Sequence, residues 1–245
     1  MIIALFSDIH ANLPATEAFF ESVEKRGPDM IFCLGDLVGY NVWPNEVIQM
    51  VRSKKIACIA GNHDLKVNKS HVNGSQDLQN SGKDYAYHII DQEGREFLLA
   101  LPAHLRLEFH KMQMLLVHGS PKSVNEYLLK DMPQEEIAKH FIDAKADILC
   151  FGHSHKPYHR IVPVEIDGVT HFKHAINTGS VGKPKDGDSR GGYVLLHVNK
   201  DSTISDPESV TVEFVRFGYD VREAAEAVVN SPLPNEFADM LLNAY

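Results

Sequence analysis

The sequence predicts an α/β fold of two β layers flanked by helices, on three observations. Residues 2–60 alternate strand-like and helix-like patterns, which implies parallel strands joined by right-handed crossovers. Five short apolar runs end in polar residues where the chain turns away, the place where open α/β sheets carry their chemistry. From Tyr158 the alternation stops and strand patterns follow one another, some with two-residue periodicity.

Ile2–His10 (IIALFSDIH) opens on a buried strand and delivers Asp8 and His10 at its C-terminal end. Asn12 and Pro14 start a helix to about Glu24, with Ala18, Phe19 and Val23 on one face, and Gly27–Pro28 breaks it. Met30–Leu34 is the next strand. A helix from Pro44 to about Arg52 follows, with Val47, Ile48 and Val51 inward, and then a strand at Ile56–Ala60. Lys66–Gly82 is polar and aperiodic and reads as a long excursion close to the cleft. It opens a polar insertion at about 66–110 in an otherwise single domain spanning 1–245. Asp84–Ile89 is expected to be helical, and Phe97–Leu101 and Leu105–Phe109 to be short strands leading into Met112–Val117. Helices are expected at Asn125–Leu129 and Pro133–Phe141, and a buried strand at Ile148–Phe151. Strands then follow at Ile161–Ile166, Val169–His174, Ala175–Thr178, Gly192–Val198 and Val210–Arg216, the first two joined by a hairpin turn at Asp167–Gly168. Asp220–Val229 ends the series as a short amphipathic helix.

A net charge of -9 argues against a broad basic surface, and so against stable nucleic-acid binding, although bound cations can make one cleft positive. No apolar run approaches the roughly 18 residues a membrane span needs. Asp8 and His10 interrupt the N-terminal run too early for a secretory leader. Cys33, Cys58 and Cys150 sit inside apolar runs as small hydrophobes, and their odd number without regular spacing fits a reducing cytoplasm. Exposed strands in the C-terminal half leave room for a homodimer.

The candidate metal ligands are Asp8, His10, Asp36, Asn62, His118, His153 and His155. Taken singly, an Asp at a strand end is a cap or turn residue and a His a satisfied polar group. Five strand ends carrying DIH, GD, GNHD, HG and GHSH make seven independent explanations untenable. Gly35, Gly61, Gly119 and Gly152 beside them fit tight turns where backbone passes close to a site. Imidazoles, carboxylates and one amide, with no well-placed thiolate, suit Mn, Fe, Zn or Co better than an all-oxygen Mg or Ca cage. Seven ligands are too many for one tetrahedral zinc and enough for two ions that share a carboxylate.

DIH at 8–10, GDLVG at 35–39, GNHD at 61–64, HGSP at 118–121 and GHSHKP at 152–157 resemble, in order, the five signature blocks of the calcineurin-like metallophosphoesterase superfamily. INTGSVGKPKDGDSRGGY at 176–193 resembles a later block of its small bacterial and archaeal members. The resemblance implies a four-layer α-β-β-α sandwich with a mixed β-sandwich core, the metallo-dependent phosphatase-like fold, and a metal centre at the sheet ends. It implies one ion (Mn, Fe or Zn) on Asp8, His10 and His155 with Asp36 bridging, and a second on Asp36, Asn62, His118 and His153. It also implies catalytic roles for Asp36 and His63, the latter facing the phosphate and either stabilising the transition state or protonating the leaving oxygen.

Relatives in the protein-phosphatase branch pair that histidine with an aspartate three positions after the bridging one, followed by an arginine. Gly39 and Tyr40 stand there instead, so other groups must bind the phosphoryl oxygens. Arg190, helped by Lys183 or Lys185, is the expected clamp. Asn62, Asn12 and Asn177 are expected to orient ligands or phosphate, Asn12 having the competing role of helix cap. Asn41–Val42 stands where relatives often have Gly–Pro, which implies an altered substrate shape near Tyr40 and Trp43. The expected reaction is hydrolysis of a phosphate ester, on a small phosphorylated molecule or nucleotide, by in-line attack of a water without a phospho-enzyme. The rival readings are a Ser/Thr protein phosphatase or dinucleoside polyphosphate hydrolase, and a metal-binding scaffold with little catalysis.

Overall fold

The computed structural model describes residues 1–69, 82–109 and 111–245, so most of the expected excursion at 66–82 lies outside the described residues. The first half holds β1 (Ile2–Phe6), α1 (Leu13–Arg26), β2 (Met30–Cys33), α2 (Pro44–Ser53), β3 (Ala57–Cys58) and the single turn α3 (Asn62–Leu65). Next come α4 (Tyr85–His88), α5 (Gln92–Leu99), β4 (Leu105–Phe109), β5 (Met112–Leu116), α6 (Gln134–Ala144) and β6 (Ile148–Phe151). β7 (Tyr158–Ile166), β8 (Val169–Asn177), β9 (Gly191–His197) and β10 (Thr211–Phe217) precede the helical pair α7 (Val221–Val229) and α8 (Glu236–Asn243).

The strands form two five-stranded mixed sheets, ordered β10-β9-β1-β2-β3 and β4-β5-β6-β8-β7. In the first, β1, β2 and β3 are parallel and β9 and β10 return antiparallel. In the second, β5, β6 and β8 are parallel between antiparallel edges. β1 shows how the layers stack. Its Ile3 and Leu5 enter a core shared with Met114, Leu116, Ile148 and Cys150 of the other sheet. Its Ala4 and Phe6 point the opposite way, against Phe19, Phe20 and Val23 of α1 and Val47, Ile48 and Val51 of α2. Leu115, Leu149 and Ala175 on the far side of the second sheet meet Ile137 and Phe141 of α6. The result is the expected α-β-β-α order, and it explains why β1 and β6 read as continuous apolar runs: each is covered on both faces.

Local signals behave as their chemistry requires. Asn12 caps α1, its Oδ1 accepting from the Ala15 amide at 3.2 Å, and Gly27 ends the helix at φ 56°. Asp167 and Gly168 take φ 51° and 77°, the paired left-handed geometry of a tight hairpin.

Three expectations fail. Phe97–Leu101 is not a strand: Phe97–Leu99 complete α5, whose start is capped by Asp91 Oδ1 accepting from the Gly94 amide at 2.6 Å. A five-residue apolar run does not reveal its period, and a cap upstream decides it. Asn125–Leu129 is not a helix either. Ser120 and Ser123 hold a turn there, and the carbonyls of Asn125 and Leu128 accept instead from His153 and from the Tyr158 hydroxyl. Finally, Val169–His174 and Ala175–Thr178 form one strand, because β8 pairs with β7 along its length and with β6 at its C-terminal end.

Candidate metal centre

The parallel strands of both sheets bring their C-terminal ends to one edge of the sandwich, and sharp turns there aim the side chains inward. Asp8, His10, Asp36, His153 and His155 all have left-handed backbone, with φ between 54° and 66°. Non-glycine residues in that region are uncommon and cluster at functional sites. The strain is held by cross-loop hydrogen bonds: the amides of Asp8, His10 and Ala11 donate to the carbonyls of Gly35, Asp36 and Leu37 at 3.0, 3.0 and 2.7 Å. Gly61 passes so close that a Cβ on it would overlap the Asp36 carboxylate.

The structure brings Asp8, His10 and His155 into one group and Asp36, His118 and His153 into another, with His10 also close to Asp36 and His63. His155 Nε2 lies 3.1 Å from Asp8 Oδ1, and His118 Nε2 lies 3.3 Å from Asp36 Oδ2 and 3.1 Å from Asn62 Oδ1. Nδ1 of His10, His118 and His155 donates to the carbonyls of Val38, Leu34 and Lys183 at 3.0, 2.8 and 2.5 Å. Such bonds fix the tautomer and leave Nε2 to face inward, the usual support of a metal-ligating histidine. His153 is turned the other way: Nε2 donates to Asn125 O at 3.3 Å, freeing Nδ1, while Tyr127 stacks on its ring at 4.0 Å.

The donor set fits a cation. His10 Nε2 and His155 Nε2 are 3.2 Å apart with both opposite nitrogens engaged as donors, so two lone pairs face each other. Asp8 Oδ1 is buried and, among the described residues, accepts no hydrogen bond. A positive charge between them relieves both conflicts. Burial opposes ionisation of Asp8, yet His155, His10 and His118 outweigh it and hold the carboxyl well below its usual range. Burial likewise opposes charge on His118, but Asp36 outweighs it and pushes the imidazole up to about 10. Without a cation, His118 is therefore protonated at neutral pH, and a ligand must shed that proton. Apparent metal affinity is expected to rise with pH, by up to tenfold per unit below that value. Proton release measured calorimetrically in buffers of different ionisation enthalpy checks this.

Asp64, which sequence reasoning quoted without a role, holds the frame. Its carboxylate accepts from the amides of Asp36, Leu37 and Gly61 at 2.8, 2.9 and 2.9 Å and so ties the loop after β2 to the loop after β3. Burial, reinforced by Asp36, pushes its carboxyl up to about 7. An acidic residue three positions into a helix, bonding back to the amide before it, was the legible signal. In Asp64→Asn one amide group must face an N–H donor. Metal affinity is expected to fall about 10–100-fold, as for other supporting bonds, measured by competition with a chelator. Ser7 plays a similar part, its Oγ donating to Asp8 Oδ2 at 2.5 Å.

His63 lies beside this cluster, its ring 4.9 Å from that of His10 and 4.9 Å from that of Tyr40. Its Nδ1 bonds the Tyr87 hydroxyl and its Nε2 accepts from Lys66 at 3.4 Å. Burial pushes the imidazole down to about 2, so it is neutral in this environment. Gly39 explains the missing aspartate: a Cβ on it would meet His63 Nδ1 at 2.5 Å and the Tyr87 hydroxyl at 2.9 Å. Tyr87, more than twenty residues downstream in sequence, fills the place from which an acidic side chain at 39 would reach the histidine.

The other expected site residues are placed differently. Asn12 is fully buried, and besides capping α1 it donates to Gly182 O at 2.7 Å. Asn177 donates to Gly152 O and Ser154 Oγ, bracing the turn that carries His153. Arg190 is exposed and paired with Asp188 of its own loop at 2.7 Å. Lys183 is buried with its ammonium 4.7 Å from the Tyr40 ring, and burial, with Lys185 adding, pushes its pKa down to about 7. Trp43 packs against the α7–α8 cluster.

A model of the calcineurin-like phosphoesterase superfamily domain matches residues 1–201. The chain belongs to the calcineurin-like phosphoesterase superfamily. Solved structures share its fold. A metallophosphoesterase from Sphaerobacter thermophilus superposes with a TM-score of 0.80 at 25% identity, covering 100% of this chain and 99% of its own. The hypothetical protein PH1004 from Pyrococcus horikoshii OT3 superposes with a TM-score of 0.79 at 21% identity, covering 100% and 98%. The uncharacterized protein MJ0912 of Methanocaldococcus jannaschii is 31% identical over 255 residues, covering 98% of this chain and 97% of its own. Family and His/Asp clusters together support metal-dependent phosphoester hydrolysis. Among the described residues, no helix of this calcineurin-like chain is long and apolar enough to cross a membrane.

Proposed function

We propose that the chain hydrolyses phosphate esters of small phosphorylated molecules, nucleotides among them, at a centre of two transition-metal ions (Mn, Fe or Zn). The observation that carries this reading is the convergence of Asp8 and Asp36 with inward-facing nitrogens of His10, His118 and His155, each anchored to a backbone carbonyl behind it. Asp8, His10 and His155 would hold one ion, Asn62, His118 and His153 the other, with Asp36 shared. Bound there, the ions supply Lewis-acid activation of a water and of the phosphoryl oxygen.

The protein's own groups do the rest. Asp36 sets the spacing, its second oxygen held by the His63 amide at 2.8 Å. His63, oriented by Tyr87, is the group placed to handle the proton of the leaving oxygen. Lys183 and Lys185 are better situated than Arg190 to meet phosphoryl oxygens, because Arg190 is already paired at the surface. Gly39 and Tyr40 leave the chain without the acid and arginine of the protein-phosphatase branch, which favours a small substrate.

The test is elemental analysis and assay on one sample. Protein loaded with Mn, Fe or Zn is expected to bind about two ions per chain and to hydrolyse p-nitrophenyl phosphate, bis(p-nitrophenyl) phosphate or both. Metal uptake with no hydrolysis under any loading would make the chain a scaffold.

A further inference from the structure

Three of the candidate imidazoles are held from behind by buried residues, and the fourth is not. Nδ1 of His10, His118 and His155 donates to the carbonyls of Val38, Leu34 and Lys183, all buried. His153 leans instead on an exposed segment. Its Nε2 donates to Asn125 O at 3.3 Å, the longest of the four bonds, and the ring of Tyr127 lies on its face. We propose that Tyr127 is a positioning residue: by stacking on His153 it sets the plane and tautomer of that imidazole. It thereby sets the affinity of the metal position of Asn62, His118 and His153 separately from that of Asp8, His10 and His155. The proposal rests on the two-ion reading above and deepens it.

The contact is a close one. The ring centroids are 4.0 Å apart and the planes 13° from parallel, whereas aromatic pairs generally lie roughly 4.5–7 Å apart. Tyr127 is nevertheless 49% exposed, so burial in the core is not what keeps its ring there. The main chain of His153 is already fixed. Its amide donates to Asp8 Oδ2 at 3.0 Å, and Asn177 braces the turn at Gly152 and Ser154. Those bonds leave the imidazole free to turn about its side-chain bonds. Nδ1 is free for a cation only when Nε2 carries the proton and faces Asn125 O. Tyr127 against the ring, with the His118 ring 5.0 Å away, holds that orientation.

The segment that presents Tyr127 is internally braced. Ser120 is buried, and its Oγ accepts from the amides of Lys122 and Ser123 at 3.0 and 3.1 Å while donating to the Glu126 carboxylate. A Cβ on Gly119 would meet the carbonyls of Ser123, Val124 and Glu126 at 2.7, 2.6 and 2.8 Å, so the segment closes on its own stem. After Tyr127, Leu128 is buried and its carbonyl accepts from the Tyr158 hydroxyl at 2.9 Å. Both neighbours of Tyr127 are therefore anchored. The segment also begins directly after His118, so it reaches one ligand of the second position through the chain and another through contact. The Asp8, His10 and His155 group is braced by Gly35, Val38 and Lys183 instead.

The test compares the wild type with Tyr127→Leu, which removes the ring, and Tyr127→Phe, which keeps it. The first readout needs no metal. Long-range proton–nitrogen NMR of the metal-free protein at pH 8, with the His153 signals identified by their loss in His153→Gln, reports the tautomer. The wild type and Tyr127→Phe are expected to hold the Nε2–H form, and Tyr127→Leu to show a mixture of both tautomers. The second readout is equilibrium dialysis against buffered Mn(II). In Tyr127→Leu one ion is expected to bind as in the wild type and the other about tenfold more weakly, with Tyr127→Phe unchanged. An unchanged tautomer in Tyr127→Leu, or unchanged affinity for both ions, overturns the proposal. Equal weakening of both ions also overturns it, because a general loosening of the fold would give that result. A Tyr127→Phe variant that behaves like Tyr127→Leu moves the effect from the ring to the hydroxyl and overturns it too. Should the wild type take up fewer than two ions, the two-ion reading falls by itself. The tautomer measurement then decides whether Tyr127 positions His153: a mixture in Tyr127→Leu sustains it, and an unchanged Nε2–H form refutes it.

Discussion

Asp36→Ala is expected to lose metal and turnover together. The carboxylate lies 3.3 Å from His118 and 3.6 Å from His10, and it also accepts from the His63 amide. Among the described residues it is the carboxylate that groups with His118 and His153 on one side and with His10 on the other. Burial opposes its ionisation, yet His118, His63 and His10 hold it charged well below the usual carboxylate range, so the native fold already favours the anion. Its removal leaves His118 and His153 without the carboxylate that groups with them. The fall in activity should exceed the roughly 100-fold typical of losing a mere supporting bond. Elemental analysis of the purified variant, run beside the assay, checks both halves of the expectation. Metal retained at the wild-type level with activity intact would remove Asp36 from the shared position.

His63→Asn is expected to separate the two quantities. The ring groups with His10 and Asp36 but with none of Asp8, His118, His153 and His155, and its main-chain amide, which supports Asp36, survives the substitution. Metal content should stay near the wild-type level while kcat falls about 10²–10⁴-fold, the range for loss of a positioned proton-handling group. Tyr87→Phe provides the graded companion. It removes only the hydroxyl that orients His63, so a smaller fall in kcat with KM little changed is expected. Loss of metal in His63→Asn would show that the imidazole is a ligand.

The strand ends that carry the proposed ligands were legible because they obey two local rules at once. Ile2–Phe6 and Ile148–Phe151 are apolar throughout because both faces are covered, and the polar residues begin where the cover stops. Asn12, Gly27 and Asp167–Gly168 announced their turns through side-chain or backbone preferences that need no partner elsewhere. Phe97–Leu99 and Asn125–Leu129 were misread for the converse reason. Phe97–Leu99 belongs to a helix whose cap, Asp91, lies upstream of the five-residue run, whereas Asn125–Leu129 is set by His153 and Tyr158, which no window centred on the segment contains.

The same division runs through the site. Sequence alone determined which acids and imidazoles stand at the strand ends of the candidate centre, and in what order. Chain-order patterning can do this because each candidate residue follows the end of a strand. Only the tertiary structure decided what surrounds them. Tyr87 reaches His63 from a distant segment, Asp64 clasps two loops, and α8 packs back against Tyr40 and Trp43. These relations depend on three-dimensional distance between residues remote in sequence, a quantity that no local periodicity or propensity encodes.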